Sequence, residues 1–262
     1  MKKSLRITFS ILFMAFIAAS VLSSCVPQKK MMYMQMAEQE EVRPSFENDR
    51  SISYSIQPGD NLYIKVVSLD EKTSMMFNVS GSGNSQQFTN DAAVYLNSYT
   101  VSDLGTIEFP LAGQIYVQNL NVEQVKARIQ EVLDEYLKET VLIVKLVNFN
   151  VTVLGEVRRP GQYKVYQSEI NIFEALSMSG DLTEFAKRSD IKIVRQTKTG
   201  SEVITVDLLT ADILSSDYYY LKPNDIIYVE PLKIKQYGFA TFPYALVFSS
   251  VSTALLLINF FK

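Results

Sequence analysis

The chain has 262 residues and a net charge of −3, and 47% of its residues are hydrophobic, so we expect a folded core and no nucleic-acid partner. It contains no histidine and one cysteine, which excludes histidine-based catalysis, imidazole metal sites and an intrachain disulfide. These counts argue against an ordinary hydrolase or metalloenzyme. We find no catalytic residues, no metal ligands and no cofactor-binding motif, although carboxylate, lysine or tyrosine chemistry stays open. The length predicts one or two domains.

The N-terminal sequence is typical of a targeting segment. A basic start is followed by an apolar run over residues 7–22, which is typical of a secretory signal and is shorter than the ~20 residues that span a bilayer. The run ends in a segment that resembles the bacterial lipobox, made of Leu22, Ser23, Ser24 and Cys25. The resemblance implies removal of residues 1–24 and acylation of Cys25. The alternative is a buried free cysteine in an uncleaved anchor.

Lipidation of Cys25 would decide where the protein resides. Two or more acyl chains anchor a protein stably in membrane lipid. Val26 rather than an aspartate follows the cysteine, which resembles the sorting pattern of outer-membrane lipoproteins. We therefore predict a lipid-anchored outer-membrane protein whose bulk faces the periplasm, with residues 25–50 as a tether.

The next segment predicts a first β-rich module. Pro58-Gly59-Asp60 is typical of a type II turn, since glycine enters positive φ freely, and a strand with alternating apolar residues follows over 62–67. Residues 80–87 predict a polar loop. Asn121 and Gln124 have the spacing of a capping box and predict the start of an amphipathic helix. Strands are predicted over 141–147 and 150–154.

A second β-rich module follows. A strand is predicted over 163–166, and a short helix from Glu169 to Met178, with Ser168 as N-cap and Gly180 as C-cap. Strands are predicted over 191–195 and 203–208. Residues 221–225 repeat the proline–small–aspartate turn of the first module and precede a further strand. Of the three consecutive tyrosines at 218–220, alternation along a strand would bury at least one, so core packing is favoured over sugar stacking.

The C-terminal residues 239–261 contain no charged side chain and predict a transmembrane helix. Its polar residues share roughly one helical face: Ser249, Ser252, Thr253 and Asn259. One interpretation is a helix that oligomerises and turns this face toward a water-filled pore. The other is a plain anchor, because serine and threonine can bond to the carbonyls of their own helix.

Several of these motifs resemble a known family. Tyr54 to Leu62, Asp103 to Ile107 and Pro110 to Gly113 resemble the signatures of the polysaccharide biosynthesis/export domain. Val153 to Val157, Arg159 to Gly161, the stretch from Phe173 to Leu182, and Leu221 to Ile226 resemble the SLBB β-grasp domain that follows it. Each motif is a turn plus a strand, and their order between a lipobox and an apolar helix resembles the outer-membrane polysaccharide export lipoproteins.

The resemblance implies an α+β protein. It consists of a periplasmic polysaccharide-export domain at 51–148 and one β-grasp (SLBB) domain at 149–232, followed by a C-terminal transmembrane helix at 239–261. It further implies a non-enzymatic subunit of a homo-oligomer ring, without a cofactor, that exports a polysaccharide substrate and docks on an inner-membrane polysaccharide co-polymerase. A different hypothesis is a membrane-tethered periplasmic lipoprotein that binds a glycan or a partner and forms no pore. An enzyme with carboxylate chemistry ranks lowest.

Overall fold

The computed structural model of the chain describes residues 28–36, 45–46, 54–78, 91–197, 199–233, 235 and 244–260. The predicted signal peptide, the lipobox and the polar loop at 80–87 lie outside the described residues. Within them the chain has ten strands and five α-helices, and its hydrophobic core divides into two clusters. The α+β class predicted from the sequence is confirmed.

The first module, residues 54–146, is built around a three-stranded antiparallel sheet. Its strands β1 (Asn61–Val67), β2 (Tyr99–Thr100) and β5 (Val141–Leu146) follow the order β2-β1-β5, and β3 (Thr106–Phe109) pairs with β4 (Gly113–Tyr116) in a separate hairpin. Along β1 the predicted alternation holds, with Leu62, Ile64 and Val66 at most 3% exposed. Two short helices that we did not predict lie between β1 and β2, α1 (Glu71–Met75) and α2 (Asp91–Leu96).

The helix α3 (Val122–Leu133) closes the core of the first module. Its N-cap is Asn121, whose side chain accepts from the N–H of Gln124 at 2.8 Å, while the Gln124 side chain accepts from the N–H of Asn121 at 2.9 Å. The predicted capping box is therefore confirmed. Residues one turn apart along the helix form its buried face, namely Val125, Ile129 and Leu133, each 0% exposed.

The second module, residues 149–231, contains a five-stranded mixed sheet in the order β7-β6-β10-β8-β9. Its strands are β6 (Asn150–Gly155), β7 (Gly161–Lys164), β8 (Ala186–Thr197), β9 (Gly200–Val206) and β10 (Ile226–Pro231), and its helix is α4 (Ile172–Met178). The pair β6 and β10 is parallel and the other pairs are antiparallel. The last strand in the sequence thus occupies the centre of the sheet.

The start of α4 differs from the prediction. The N-cap is Asn171, which accepts from the N–H of Glu174 at 2.9 Å, and not Ser168. Residues before the cap are held extended, because the N–H of Leu221 donates to the carbonyl of Ile170 at 2.9 Å and Asn171 pairs with Tyr220 in an isolated β-bridge. This pairing with a distant segment prevents the helix from beginning earlier. At the other end Ser179 is the C-cap and Gly180 follows it with φ +79°.

Gly155 permits the close approach of the two parallel strands. Its φ is +89°, and a Cβ atom at this position would lie 2.0 Å from the carbonyl oxygen of Val229 in β10. The N–H of Glu156 donates to the same oxygen at 3.0 Å. Only a residue without a side chain fits between the end of β6 and β10.

Within the described residues, the C-terminal helix α5 (Tyr244–Phe260) covers part of the predicted span 239–261. It has 17 residues, about 25 Å at 1.5 Å per residue, against about 30 Å of hydrocarbon in a bilayer. Among the described residues, no helix has both the length and the apolar character that a membrane crossing requires. The transmembrane helix predicted for 239–261 is therefore not supported by the described residues, which include 244–260 of that range.

Candidate functional site

The link between the two modules, residues 147–149, is hydrogen-bonded to both. From the first module, the N–H of Asn61 donates to the side-chain oxygen of Asn148 at 3.1 Å, and the carbonyl of Asn61 accepts from Val147 at 2.9 Å. From the second module, Val165 donates to the carbonyl of Phe149 at 2.9 Å. The modules are thus joined by a fixed connection.

A cleft of about 240 Å³ lies where the modules meet. The first module lines it with Tyr54, residues 121–123 at the start of α3 and residues 144–146 of β5, and the second with Phe149, residues 166–169 and residues 220–223. Pockets for drug-sized ligands measure about 300–1,000 Å³, so this cleft suits a smaller group or a short segment of a longer chain.

Three tyrosines line the cleft. Tyr166 is 86% exposed, whereas Tyr54 and Tyr220 are half-buried. The ring of Tyr220 is held edge-on against Tyr219, with 4.9 Å between centroids. Burial, together with the adjacent Asp60 carboxylate, raises the pKa of Tyr54, so its hydroxyl stays protonated and donates to that carboxylate. The cleft therefore offers apolar rings with polar tips.

Acidic and basic side chains line the cleft together with these tyrosine rings. Glu123 and Lys145 come from the first module, and Glu169 and Lys222 from the second. The carboxylates and ammonium groups supply acceptors and donors on both sides of the cleft. Such a lining suits recognition of a hydroxyl-rich, uncharged or weakly charged ligand.

Two aspartate turns, residues 57–60 and 222–225, lie beside the cleft and share one geometry. The Asp60 carboxylate accepts from the N–H of Gln57 and the Asp225 carboxylate from the N–H of Lys222, each at 2.8 Å. Both turns are closed by a backbone hydrogen bond of 3.1 Å. The third residue has positive φ in both, +88° at Gly59 and +67° at Asn224. The predicted repetition of the turn is confirmed.

The surroundings of the second aspartate turn are ionic. Arg195 binds Asp225 through two hydrogen bonds, from Nε at 3.0 Å and from a terminal nitrogen at 2.6 Å, and the two side chains are 7% and 1% exposed. The same guanidinium lies 5.5 Å from the ring centroid of Tyr218. This buried ion pair fixes the loop that carries Tyr220 and Lys222 into the cleft.

The first aspartate turn has neutral partners in the described residues. Besides Gln57, the Asp60 carboxylate accepts from the Asn148 amide at 3.3 Å and from Tyr54. Burial raises the pKa of Asp60, and these donors offset the effect only in part. The same turn is thus stabilised by charge pairing in one module and by neutral hydrogen bonds in the other.

The residues predicted from the sequence fall in three places. The lipobox residues Leu22, Ser23, Ser24 and Cys25 lie outside the described residues. The candidate pore-facing residues Ser249, Ser252, Thr253 and Asn259 are all exposed on α5, and the hydroxyl of Thr253 donates to the carbonyl of Ser249 at 2.8 Å. Tyr218 and Tyr219 pack against the core of the second module, whereas Tyr220 lines the cleft.

Neither Tyr54 nor Tyr166 was predicted from the sequence as a site residue. They are more than a hundred positions apart, and only the packing of the two modules brings them to one cleft. The exposure of Tyr166 has no signature in the sequence.

Two family models match consecutive parts of the chain. Residues 48–147 match the polysaccharide biosynthesis/export protein family, and residues 150–207 match the SLBB domain. Together they cover more than half of the chain, in the order predicted from the motifs. The chain belongs to the polysaccharide biosynthesis/export family. The second match stops before β10, although β10 is the central strand of that sheet.

Two curated relatives are similar to about half of the chain. The chain is 28% identical over 137 residues to the EPS I polysaccharide export outer membrane protein EpsA of Ralstonia solanacearum, and 27% identical over 139 residues to the protein of the same name in Ralstonia nicotianae. The alignments cover 51% and 52% of this chain. They span only 36% of each relative, about a third of its length.

Proposed function

We propose that this protein is a subunit of an oligomeric conduit that exports a capsular polysaccharide or exopolysaccharide across the periplasm and the outer membrane. The observation that carries the proposal is the order of the two family-matched domains behind a segment that resembles a lipobox. The names of the two relatives agree with an outer-membrane location and an export role. The protein binds and guides the glycan, and performs no chemical step on it.

The conduit is a homo-oligomer ring whose assembly involves α5. Four large apolar side chains of this helix are solvent-exposed in the single chain: Phe248, Val251, Leu255 and Leu256, of which Leu256 is 70% exposed. A contiguous apolar surface of this kind marks a contact with another protein or with lipid. In the ring Phe248, Val251 and Leu255 contact neighbouring subunits. Ser249, Ser252, Thr253 and Asn259 face the lumen, with Leu256 among them. An inner-membrane polysaccharide co-polymerase is the docking partner that delivers the glycan.

The cleft between the modules is the glycan contact within each subunit. Tyrosine rings present flat apolar surfaces to the apolar faces of sugar rings, and their hydroxyls and the surrounding charged groups bond to sugar hydroxyls. The small volume of the cleft suits one or two residues of a chain that continues past it. Weak contacts of this kind, repeated in each subunit, favour passage over tight binding.

The first test is particle imaging of the mature full-length protein, extracted in mild detergent. Closed rings with a central cavity are the expected result. Single subunits that persist across detergents and concentrations would refute the conduit. They would favour a membrane-tethered lipoprotein that binds a glycan or a partner and forms no pore.

The second test replaces Tyr166 with alanine in a strain that depends on this protein for export. We expect the polysaccharide recovered outside the cells to fall several-fold, with normal protein level and ring formation. Tyr228→Ala is the matched control, since Tyr228 is also exposed, at 39%, but lies on the outer face of β10 away from the cleft. Equal export by both variants would refute the glycan-binding role of the cleft.

The role of α5 is tested by a third variant. Its four polar side chains are replaced together with leucine: Ser249, Ser252, Thr253 and Asn259. Loss of export with intact rings would support a lumen-facing role. Unchanged export would contradict it.

Lipidation is tested separately with Cys25→Ala. The variant is expected to lose metabolic labelling with a radioactive fatty acid, which the unsubstituted protein incorporates. Labelling that persists in the variant would refute acylation at Cys25.

A further inference from the structure

The residues that follow the predicted acylation site fold into a compact arm, residues 28–36. It begins with a 3-10 helix at Gln28–Lys30. The side-chain amide of Gln35 donates to the carbonyl of Lys29 at 2.6 Å and to the carbonyl of Met32 at 3.2 Å, which closes the segment into a loop. This part of the predicted tether has a defined structure of its own.

The arm is fixed to the second module by its backbone. The N–H of Met34 donates to the carbonyl of Leu208 at 3.1 Å, and the N–H of Gln35 donates to the carbonyl of Leu209 at 2.6 Å. These two bonds place the arm beside the segment that follows β9.

Tyr33 anchors the arm through its side chain. Its hydroxyl donates to the carboxylate of Asp181 at 2.6 Å, and its ring packs edge-on against Phe173 with 5.9 Å between centroids. The guanidinium of Arg188, a residue that is 6% exposed, lies 5.3 Å from the centroid of the same ring. The tyrosine thus turns inward and covers a buried cation.

The other long side chains of the arm turn outward. Four methionines are between 37% and 53% exposed, namely Met31, Met32, Met34 and Met36. Lys29 and Lys30 beside them are also exposed. Exposed methionines are flexible apolar groups that adapt to irregular surfaces. A fixed loop that combines apolar and basic side chains has the composition of a peripheral membrane contact.

We propose that the arm, residues 28–36, is a membrane-contact surface that seats the second module on the lipid headgroups. This rests on the proposed acylation of Cys25. Only two residues, Val26 and Pro27, lie between Cys25 and Gln28, so Cys25 and Gln28 are within about 11 Å of each other even when that stretch is fully extended. The methionines enter the boundary between headgroups and acyl chains, and Lys29 and Lys30 bind anionic phospholipid headgroups.

Contact of the arm with lipid would fix the orientation of the protein relative to the membrane. With the arm on the lipid, the second module lies next to the membrane and the first module is the part that reaches into the periplasm. The anchored tyrosine makes the orientation rigid, because the arm cannot swing as a free tether would.

The test uses the acylated full-length protein in vesicles of phosphatidylcholine that contain phosphatidylglycerol. In the acylated protein the thiol of Cys25 is blocked, so an introduced cysteine is the single site for a fluorescent label. We expect the label at Met32→Cys to show blue-shifted emission and to be quenched several-fold more by spin-labelled lipids than the label at Ser201→Cys. Ser201 is an exposed residue of β9 and serves as the control.

Two results would overturn the proposal. Equal, weak lipid quenching at both positions, with equal access to iodide in the water, would leave the arm in solvent. Shielding from iodide at Met32→Cys without lipid quenching would show that another copy of the chain covers it.

Two further measurements distinguish the membrane contact of the arm from acylation of Cys25 and from polysaccharide export. Lys29→Gln combined with Lys30→Gln should remove the dependence of lipid quenching on phosphatidylglycerol, and an unchanged dependence would contradict the headgroup contact. Uptake of label by the unsubstituted protein would reveal a free Cys25 and refute the acylation on which the membrane contact rests. Blocked Cys25 and normal export without quenching would refute only the membrane contact.

Discussion

The two aspartate turns allow a matched comparison, because the same backbone is stabilised in two different ways. We predict that Asp225→Asn strongly destabilises the protein, whereas Asp60→Asn has a small effect. Both substitutions remove one negative charge at nearly constant volume, and both leave an oxygen that can accept from the first N–H of the turn. The partners of the carboxylate differ.

Asp225→Asn leaves the guanidinium of Arg195 buried without a counter-charge. The pair is 7% and 1% exposed and is joined by two hydrogen bonds, so water cannot replace the lost carboxylate. Breaking one side of such a buried pair costs about 3–5 kcal/mol in the free energy of unfolding. With a urea m-value of about 2 kcal/mol/M, the unfolding midpoint should fall by about 1.5–2.5 M.

Asp60→Asn removes a charge that the fold disfavours. Burial raises the pKa of this carboxyl, so folding disfavours its charged form relative to the unfolded chain. The asparagine loses one acceptor toward the Asn148 amide, which costs about 1 kcal/mol, and no buried cation is exposed. The midpoint should move by about 0.5 M or less.

The assay is equilibrium urea unfolding of the full-length protein at pH 7, followed by far-ultraviolet circular dichroism. Arg195→Met combined with Asp225→Leu is the additional control, because replacing both ions with apolar groups often restores stability. Equal shifts for the two asparagine variants would refute the reasoning. A double variant no more stable than Asp225→Asn would refute the uncompensated charge as the cause.

Three further predictions concern single positions. Gly155→Ala should lower the free energy of unfolding by at least about 3 kcal/mol in the same assay, while Gly200→Ala, which has open space around it, should change it little. Asn171→Ala should cost about 1 kcal/mol and Ser168→Ala close to nothing, and the reverse order would contradict the assigned cap. Burial alone would raise the pKa of Glu156, but Lys235 and Thr183 outweigh it and lower that pKa. The stability this carboxylate contributes is therefore present above pH 4.5 and lost as the pH falls through its folded-state pKa, so Glu156→Gln should differ from the unsubstituted protein at pH 7 and match it at low pH in thermal melts.

Local signals in the sequence predicted the local structure well. The turn at Pro58, the capping box of α3 and the alternation along β1 each depend on residues a few positions apart, and each was confirmed. The predicted start of α4 was wrong. A distant segment holds the residues before the helix extended, through backbone pairing at Leu221 and Tyr220. Serine at 168 and asparagine at 171 are equally good caps by residue type, so only the tertiary pairing distinguishes them.

Features that depend on distant contacts could not be predicted. The cleft requires the packing of two modules, and the arm requires a slot formed by Phe173, Asp181 and Arg188 that no local pattern reveals. The transmembrane helix predicted for 239–261 is not supported by the described residues, since an uncharged run shows where a helix is tolerated and not where it begins. The composition of the run does not show at which residue a helix begins.

The central position of β10 has a consequence for how the protein is made. Without β10, the sheet of the second module reduces to two hairpins, β6 with β7 and β8 with β9, and an isolated two-stranded hairpin is at best marginally stable in water. The strand that joins them arrives only at Ile226–Pro231, after most of the chain has been synthesised. If the proposed outer-membrane location holds, the chain passes through the inner membrane unfolded, and this strand order would keep the second module from closing until nearly all of it has crossed.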